Sequence, residues 1–318
     1  MIQELRWNPF LEEWVMVSSI REERPWRSGG CPFCEGAPEM GRGWRVRIVE
    51  NKYPMLSPRA PEPERHWFYR RGRARGKCLV LVETPIHNIE DISDLSTNNI
   101  VEVIESVIGV MEDSMREGYR YVFWFRNKGE EIGVSQPHPH SQIYVMDFTP
   151  SLVRKEIESS RRYMNEASKC LGCEVLSAEK RDGYRIVYEN ESWTAFLPFY
   201  ARWPFEVHIY PKRHVDLLTR LTRREVEGLA TALKNVLCGL QRVLGRPMPY
   251  MLALHQAPLS GEPSYHLHLE IYGVYRRNGR LKYAAGMEMA GGNFTYDSSP
   301  ESNASLLRDS VLRCLLGR

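Results

Sequence analysis

The chain has 318 residues, 42% of them hydrophobic and 26% charged, which is enough for two ordinary domains or one large duplicated domain with a substantial core. Its 43 Lys and Arg residues against 40 Asp and Glu residues leave a formal net charge of +3, which argues against a general nucleic-acid-binding or membrane-binding surface. No apolar run approaches the roughly 20 residues of a membrane span, and the N-terminus lacks a secretory pattern, so we expect a cytoplasmic protein.

The cysteines point to metal binding. Seven is an awkward number for a secreted disulfide scaffold, and four of them form two Cys-x-x-Cys pairs. That spacing is typical of metal sites in a reducing compartment. Disulfide bonds stay open as an alternative if the source is a hyperthermophile.

The first third of the chain predicts strands joined by loops. Residues 13–18 alternate apolar and polar side chains like a half-buried strand, and 45–49 and 78–82 have the composition of further strands. The segment from 57 to 76 between the last two is rich in Pro and Arg, which predicts a long surface loop.

The next stretch predicts a helix, a strand and a second helix. Apolar residues recur with helical spacing over 100–115, with Gly118 placed to end the helix, and 121–125 read as a buried strand. A helix beginning near Thr149 and Pro150, with Thr as its cap, leads towards the second Cys-x-x-Cys pair.

The segment Gln136-Pro-His-Pro-His-Ser-Gln142 lies between the predicted strand 121–125 and the second helix, and it leads into a further strand at 143–147. Its prolines disfavour helix, and histidines two residues apart in an extended segment project to one face. One histidine can therefore bind a group while the other attacks. For the isolated motif, a proline-rich turn with solvent-exposed histidines is an equal alternative.

The second half repeats this order of elements. A capping box at Thr222–Glu225 opens a helix, the strand 250–254 follows, and the segment Tyr265–Tyr272 carries a second His-x-His pair and reads as a strand. Before the helix, strands are predicted at residues 184–188, 193–196 and 206–210.

The spacing of histidines supports a duplication. His87 and His138 are 51 residues apart, and His214 and His266 are 52 apart. Because chance would have to produce the same order twice, the repeat is a stronger signal than its parts. We predict an α+β fold of two duplicated halves, residues 1–165 and 166–318, each an antiparallel sheet with a crossing helix.

Each half supplies four ligands that suit zinc, which prefers tetrahedral nitrogen and sulfur ligands. In the first half these residues are Cys31, Cys34, His87 and His138. In the second half they are Cys170, Cys173, His214 and His266, where a disulfide or a metal-free thiol pair is the alternative. A metal in the first half would fix the strand that carries the other motif histidine.

That leaves His140 as the candidate nucleophile. Neutral imidazole has a pKa of about 6.5 and forms a reactive phosphoramidate, so it suits the relay of a phosphoryl or nucleotidyl group. The transferred group carries its charge on the non-bridging oxygens, so hydrogen-bond donors must surround it. Ser135, Gln142 and an N-terminal arginine are the candidates. We expect a backbone carbonyl, that of His138, to orient the ring of His140.

Several motifs together resemble the galactose-1-phosphate uridylyltransferase family, a branch of the histidine-triad superfamily. The likeness runs from about residue 5 to about residue 290 and is most specific at the histidine run. Its motifs are Arg6-Trp-Asn-Pro9, Arg24-Pro-Trp26, Cys31-Pro-Phe-Cys34, Asn127-Lys-Gly129, Ser135-x-Pro-His-Pro-His-Ser-Gln142, Trp203-Pro-Phe-Glu206 and Gly286-Met-Glu-Met289.

The resemblance implies a ping-pong exchange in which UDP-glucose donates UMP to His140, glucose 1-phosphate leaves, and galactose 1-phosphate takes the UMP. It implies a homodimer, in which Lys282 and Glu288 face the hexose phosphate across the interface. It also implies that the uridine diphosphate is bound by five residues, namely Arg21, Asn51, Asn127, Ser135 and Gln142.

The resemblance also implies a second metal, zinc or iron, at Glu156, His255 and His268, with Glu270 where the family has histidine. Glu270 also stands where the first half has Gln142. We therefore predict that the second half keeps the scaffold and the metal binding but has no nucleophile. Ser141 in place of Gly and Met287 in place of Tyr are further departures, of which Met287 concerns the sugar.

Two alternatives remain. One is a phosphorylase or hydrolase of the same superfamily, acting on adenylylated substrates such as ADP-sugars or dinucleoside polyphosphates through the same His140. The other is a zinc-stabilised binding module without turnover.

Overall fold

The computed structural model describes residues 2–23 and 30–317, and within them the chain forms twelve strands and six α-helices. The strands are β1 (Gln3–Asn8), β2 (Glu13–Ser18), β3 (Arg47–Glu50), β4 (Arg71–Arg73), β5 (Gly76–Val82), β6 (Tyr121–Lys128), β7 (His140–Met146), β8 (Ile186–Glu189), β9 (Trp193–Phe196), β10 (Phe205–Pro211), β11 (Tyr250–His255) and β12 (His268–Gly273). The helices are α1 (Thr97–Arg116), α2 (Ser151–Ala167), α3 (Leu171–Asp182), α4 (Arg223–Arg242), α5 (Gly286–Met289) and α6 (Pro300–Leu315).

Nine of the strands form one continuous antiparallel sheet in the order β3-β5-β7-β6-β11-β12-β10-β9-β8. The first four come from the N-terminal half and the other five from the C-terminal half. The halves meet where β6 pairs with β11, with Tyr250 opposite Lys128 and Ala253 opposite Phe125. The predicted α+β fold of two antiparallel halves is confirmed, and the two sheets are joined edge to edge.

A separate three-stranded sheet, in the order β2-β1-β4, is built from N-terminal residues. The segment 57–76, predicted to be loop throughout, therefore contains β4 and the first residue of β5. Three residues of strand are too short for composition to reveal, since β4 is formed by its pairing with β1 rather than by an apolar pattern.

The long helices α1 and α4 occupy equivalent places in the two halves and pack against each other. Ser96 caps α1 by accepting from the Asn99 N–H, and the predicted capping box of Thr222 and Glu225 opens α4. Their apolar faces are buried in one core that also holds Trp124 and Trp193. No helix in the described ranges has both the length and the apolar composition to cross a membrane.

Two local predictions are wrong. The cap of α2 is Pro150, which makes no side-chain hydrogen bond, while the Thr149 hydroxyl is buried without a partner in the described part of the chain. Strand β12 begins at His268, so His266 precedes it. The predicted boundary between residues 165 and 166 falls near the end of α2, and the division at that point stays a prediction.

The C-terminal helix α6 is fastened to α4 by a disulfide bond between Cys238 and Cys314, residues that are 76 positions apart. The helices also approach closely, since a Cβ built on Gly239 would lie 2.5 Å from Cγ2 of Val311. Neither cysteine belongs to a Cys-x-x-Cys pair, and the sequence offers no local signal that joins them.

Replacing both Cys238 and Cys314 by serine should lower the free energy of unfolding by roughly 2–4 kcal/mol, because the cross-link restricts the unfolded chain. Thermal melting followed by circular dichroism measures the loss. A non-chelating phosphine should lower the Tm of the natural chain and leave that of the double variant unchanged. Equal sensitivity of both proteins to the phosphine would contradict the prediction.

Candidate functional site

The histidine motif enters the central sheet at the start of β7, where His140 pairs with Val82 of β5. Nε2 of His138 lies 2.8 Å from the carbonyl oxygen of Thr84, so this nitrogen carries the proton and donates. Nδ1 of His140 lies 2.8 Å from the carbonyl oxygen of His138. A neutral His140 that donates from Nδ1 has its lone pair on Nε2, the nitrogen that can attack. The carbonyl expected to orient this ring is therefore at hydrogen-bond distance.

The first cluster brings Cys31, Cys34, His87 and His138 together. Nδ1 of His138 lies 3.5 Å from Sγ of Cys31, 3.9 Å from Sγ of Cys34 and 3.3 Å from Nδ1 of His87, which itself lies 3.4 Å from Sγ of Cys34. Tetrahedral zinc, with bonds of about 2.0–2.3 Å, separates its ligands by roughly 3.3–3.8 Å. Burial lowers the pKa of His138, which favours the neutral ring that a metal requires. The residues fit a zinc ion.

The second cluster holds the other four predicted ligands, Cys170, Cys173, His214 and His266, with their donor atoms within 4.8 Å of one another. Sγ of Cys173 lies 3.4 Å from Nδ1 of His214 and 3.4 Å from Nδ1 of His266. Both cysteines are free, so they form no disulfide. Gly172 is needed here, because a Cβ at this position would lie 2.6 Å from Cβ of His266.

A third cluster brings Glu156 of α2, which is partly exposed, together with three buried residues of the C-terminal half, His255, His268 and Glu270. Oε2 of Glu156 lies 2.9 Å from Nδ1 of His255, and Oε1 of Glu270 lies 3.3 Å from Nε2 of His268. Burial alone would lower the pKa of His255, but the two carboxylates outweigh it and raise that pKa to about 9. Two carboxylates and two imidazoles are a suitable ligand set for zinc or iron.

Three residues around the third cluster were missed as site residues. His208 of β10 pairs with Glu270 and places Nε2 3.3 Å from its Oε1 and 2.9 Å from Oε1 of Glu206. Nη2 of Arg202 donates to Oε2 of Glu270 at 3.0 Å. Cationic and hydrogen-bonding partners thus surround the carboxylate at the position where the family resemblance implies histidine. The available signal was the pair of polar residues, Glu206 and His208, that alternate with apolar residues in the buried strand β10.

A cavity of about 540 Å³ opens beside His140. Besides polar groups it has aromatic walls, among them Phe33, Phe125 and Tyr144, against which a planar base can stack. The five residues predicted to hold the uridine diphosphate all line it, namely Arg21, Asn51, Asn127, Ser135 and Gln142.

The residues predicted to face the hexose phosphate lie together but elsewhere. Lys282 and Glu288 are both buried, and Nζ of Lys282 lies 3.4 Å from Oε1 of Glu288 and 3.1 Å from Oγ1 of Thr295. Neither is among the described residues that line the cavity at His140. The Arg24-Pro-Trp26 motif falls outside the described residues.

The duplicated antiparallel fold, with an oriented histidine beside a Cys2His2 cluster and a cavity of nucleotide size, defines a transferase with a nucleotide-sized site. Family models assign residues 45–150 to the N-terminal and residues 156–313 to the C-terminal domain of galactose-1-phosphate uridyl transferase. The chain belongs to the galactose-1-phosphate uridylyltransferase family, as the sequence motifs predict.

Individual relatives agree over nearly the whole chain. A galactose-1-phosphate uridylyltransferase of Thermotoga maritima is 35% identical, with 97% of this chain and 99% of the relative covered. The galactose-1-phosphate uridylyltransferase of Rattus norvegicus is 31% identical, with 96% of this chain and 87% of the relative covered. A solved uridylyltransferase structure is 47% identical, with a TM-score of 0.93 and coverage of 98% and 99%. An ADP-glucose phosphorylase of Arabidopsis thaliana with bound ADP-glucose is 26% identical, with a TM-score of 0.74 and coverage of 96% and 98%.

The two Cys2His2 clusters share no ligand, so each cysteine set should lose its metal independently. We expect Cys34→Ser and Cys173→Ser each to lower the bound metal by about one ion per chain, measured by mass spectrometry of the metals after dialysis. Cys34→Ser should also reduce the rate of nucleotidyl transfer about 10-fold or more, because without the metal the start of β7, which carries His140, is held less firmly.

Cys78→Ser is the matched control, since Cys78 is a buried free thiol outside all the clusters, and it should keep the metal content of the natural chain. A Cys34→Ser protein that retained its full metal complement would rule out the first cluster as a metal site.

Proposed function

We propose that the chain transfers UMP from UDP-glucose to galactose 1-phosphate through a covalent uridylyl-histidine on His140, giving UDP-galactose and glucose 1-phosphate. The observation that carries the proposal is the orientation of His140, with Nδ1 2.8 Å from the His138 carbonyl oxygen, beside a cavity lined by all five residues predicted to hold the nucleotide. Membership of the family supports uridylyl transfer. The covalent intermediate on His140 and the identity of both sugars are the proposed part.

The first half-reaction forms a bond between Nε2 of His140 and the α-phosphorus of UDP-glucose and breaks the bond from that phosphorus to the bridging oxygen. Glucose 1-phosphate leaves as an anion and needs no proton. The ring of His140 becomes cationic as the bond forms, and the His138 carbonyl, which accepts from Nδ1, stabilises that charge. In the second half-reaction a phosphate oxygen of galactose 1-phosphate attacks the same phosphorus, and the bond to His140 breaks.

The polar residues of the cavity take the charge of the phosphates. Arg21 offers a cation, while Asn51, Asn127, Ser135 and Gln142 offer neutral donors around the cavity. Gln142 lies on the same face of β7 as His140, two residues further along the strand. This places a donor beside the nucleophile, where the non-bridging oxygens of a transferred group would lie.

The metals act on structure in this proposal. Zinc held by Cys31, Cys34, His87 and His138 would fix the approach to β7, and a second zinc or iron in the C-terminal half would stabilise its buried carboxylates. Glu156, His255, His268 and Glu270 fit that second metal, and Cys170, Cys173, His214 and His266 fit a further zinc. His268 repeats the geometry of His140, with Nδ1 3.0 Å from the His266 carbonyl oxygen, but it faces Glu270 and is buried.

We further propose a cytoplasmic homodimer, in which Lys282 and Glu288 of one subunit approach the hexose phosphate bound by the other. Their separation from the described lining of the cavity within one chain is consistent with this arrangement. The hexose would then be recognised only after assembly.

Adenylyl transfer is the second candidate, because the ADP-glucose phosphorylase of Arabidopsis thaliana shares the fold over 96% of this chain. It would use the same histidine and differ in the base and the acceptor. Mass measurement of protein trapped with UDP-glucose or with ADP-glucose separates the two. We expect a UMP adduct that is absent in His140→Asn, whereas an AMP adduct without a UMP adduct would exclude the first proposal.

Mixing two inactive variants tests the shared site. A His140→Asn chain and a Lys282→Met chain should each be inactive alone, and coexpression should restore roughly a quarter of the natural activity, because mixed dimers contain one complete site. The mixed sample should run as a dimer in light scattering. Complementation would be absent if Lys282 served the site of its own subunit, or if the protein were monomeric.

A further inference from the structure

Three polar side chains interrupt the apolar core beneath the histidine motif. Glu83 directly follows β5, Arg126 lies on β6 and Ser141 lies on β7, and their exposed fractions are 0%, 3% and 1%. Ser141 alternates with His140 along its strand, so its side chain points to the face opposite the nucleophile. A buried ion pair is commonly no more stabilising than apolar residues in its place, so stability alone does not explain this group.

Hydrogen bonds hold the histidine motif on both sides of His140, and those on its N-terminal side come from Glu83 and Thr84. The Glu83 N–H donates to the Pro139 carbonyl at 3.1 Å, and the next residue, Thr84, accepts from Nε2 of His138 at 2.8 Å. On the other side, Oγ of Ser141 accepts from Nε1 of Trp124 at 3.0 Å. The position of the nucleophile therefore depends on the backbone at residues 83 and 84.

The side chain of Glu83 fixes that backbone. Its Oε2 lies 3.2 Å from Nε of Arg126, and the Arg126 guanidinium stands over the ring of Tyr250, 5.7 Å from its centre. Oε1 is buried without a hydrogen-bond partner in the described ranges. Burial raises the pKa of Glu83 above its ordinary value, and the Arg126 guanidinium opposes that shift.

We propose that Glu83, with Arg126 as its counter-ion and Ser141 as its neighbour on β7, is a positioning residue for transfer at His140. The inference rests on the proposed function. By fixing the backbone at residues 83 and 84, Glu83 holds residues 138–141 so that Nε2 of His140 lies in line with the phosphorus and the leaving oxygen. Attack at phosphorus is sensitive to such placement, since a displacement of about 1 Å can cost about 100-fold in rate.

Glu83→Gln tests the proposal, with UDP-glucose as the donor. The single-turnover rate of UMP adduct formation should fall about 10–100-fold, while KM for UDP-glucose stays within about twofold, because the substrate contacts are unchanged. The matched control is Glu179→Gln, which breaks another buried pair, Glu179 with Arg185 at 2.7 Å, in the C-terminal half. It should lower the Tm without changing the rate of adduct formation.

Ser141→Ala provides a second route if Glu83→Gln does not fold, and we expect a fall of about 3–10-fold in the same rate with KM unchanged. The double variant should be less impaired than the product of the single effects, since both act on one strand. An unchanged rate in folded Glu83→Gln, or a fall matched by Glu179→Gln at equal loss of Tm, would overturn the proposal. If the natural chain formed no UMP adduct at all, the proposed function would fail instead.

Discussion

The hydrogen bond from Nε2 of His138 to the Thr84 carbonyl is the interaction on which the rest of the site depends. Because Nε2 carries the ring proton and donates it in this hydrogen bond, Nδ1 keeps the lone pair that can bind a metal in the Cys2His2 cluster. The same residue presents its own carbonyl to His140 and so sets the tautomer of the nucleophile. Metal binding, the start of β7 and the orientation of the nucleophile thus depend on one residue, His138.

The two halves show what the shared scaffold does and does not determine. His140 and His268 begin equivalent strands, and each places Nδ1 at the carbonyl of the histidine two residues earlier. The difference lies in what faces the ring. His140 opens on a cavity, whereas His268 meets Glu270 among buried carboxylates. Duplication preserved the geometry of the ring, and the neighbouring side chains changed its chemistry.

The repeat made much of this fold predictable from the sequence. The twofold order of Cys-x-x-Cys, histidine, helix and His-x-His predicts both halves and their two Cys2His2 clusters, and the family resemblance predicts the cluster around Glu270. The capping box at Thr222 was also readable, because its two residues lie three apart. Motifs of this kind are local, or they occur twice.

What the sequence did not reveal depends on contacts between distant segments. Cys238 meets Cys314 only because α4 and α6 pack together, and Glu83 meets Arg126 only through adjacent strands. The alternation of Glu206 and His208 marks His208 as unusual, but its partner Glu270 is identified only by the pairing of β10 with β12. Lys282 and Glu288 were predicted from motif position, which carries no information about what encloses them.

The joining of the two sheets through β6 and β11 has a consequence for synthesis of the protein. Strand β6 ends at residue 128 and its partner begins at residue 250, so more than a hundred residues are translated between them. Until β11 leaves the ribosome, the nascent N-terminal half has an open strand edge that can pair with other chains. The contact that unites the finished molecule is thus an aggregation risk during translation, and a chain truncated before residue 250 would keep that edge unpaired.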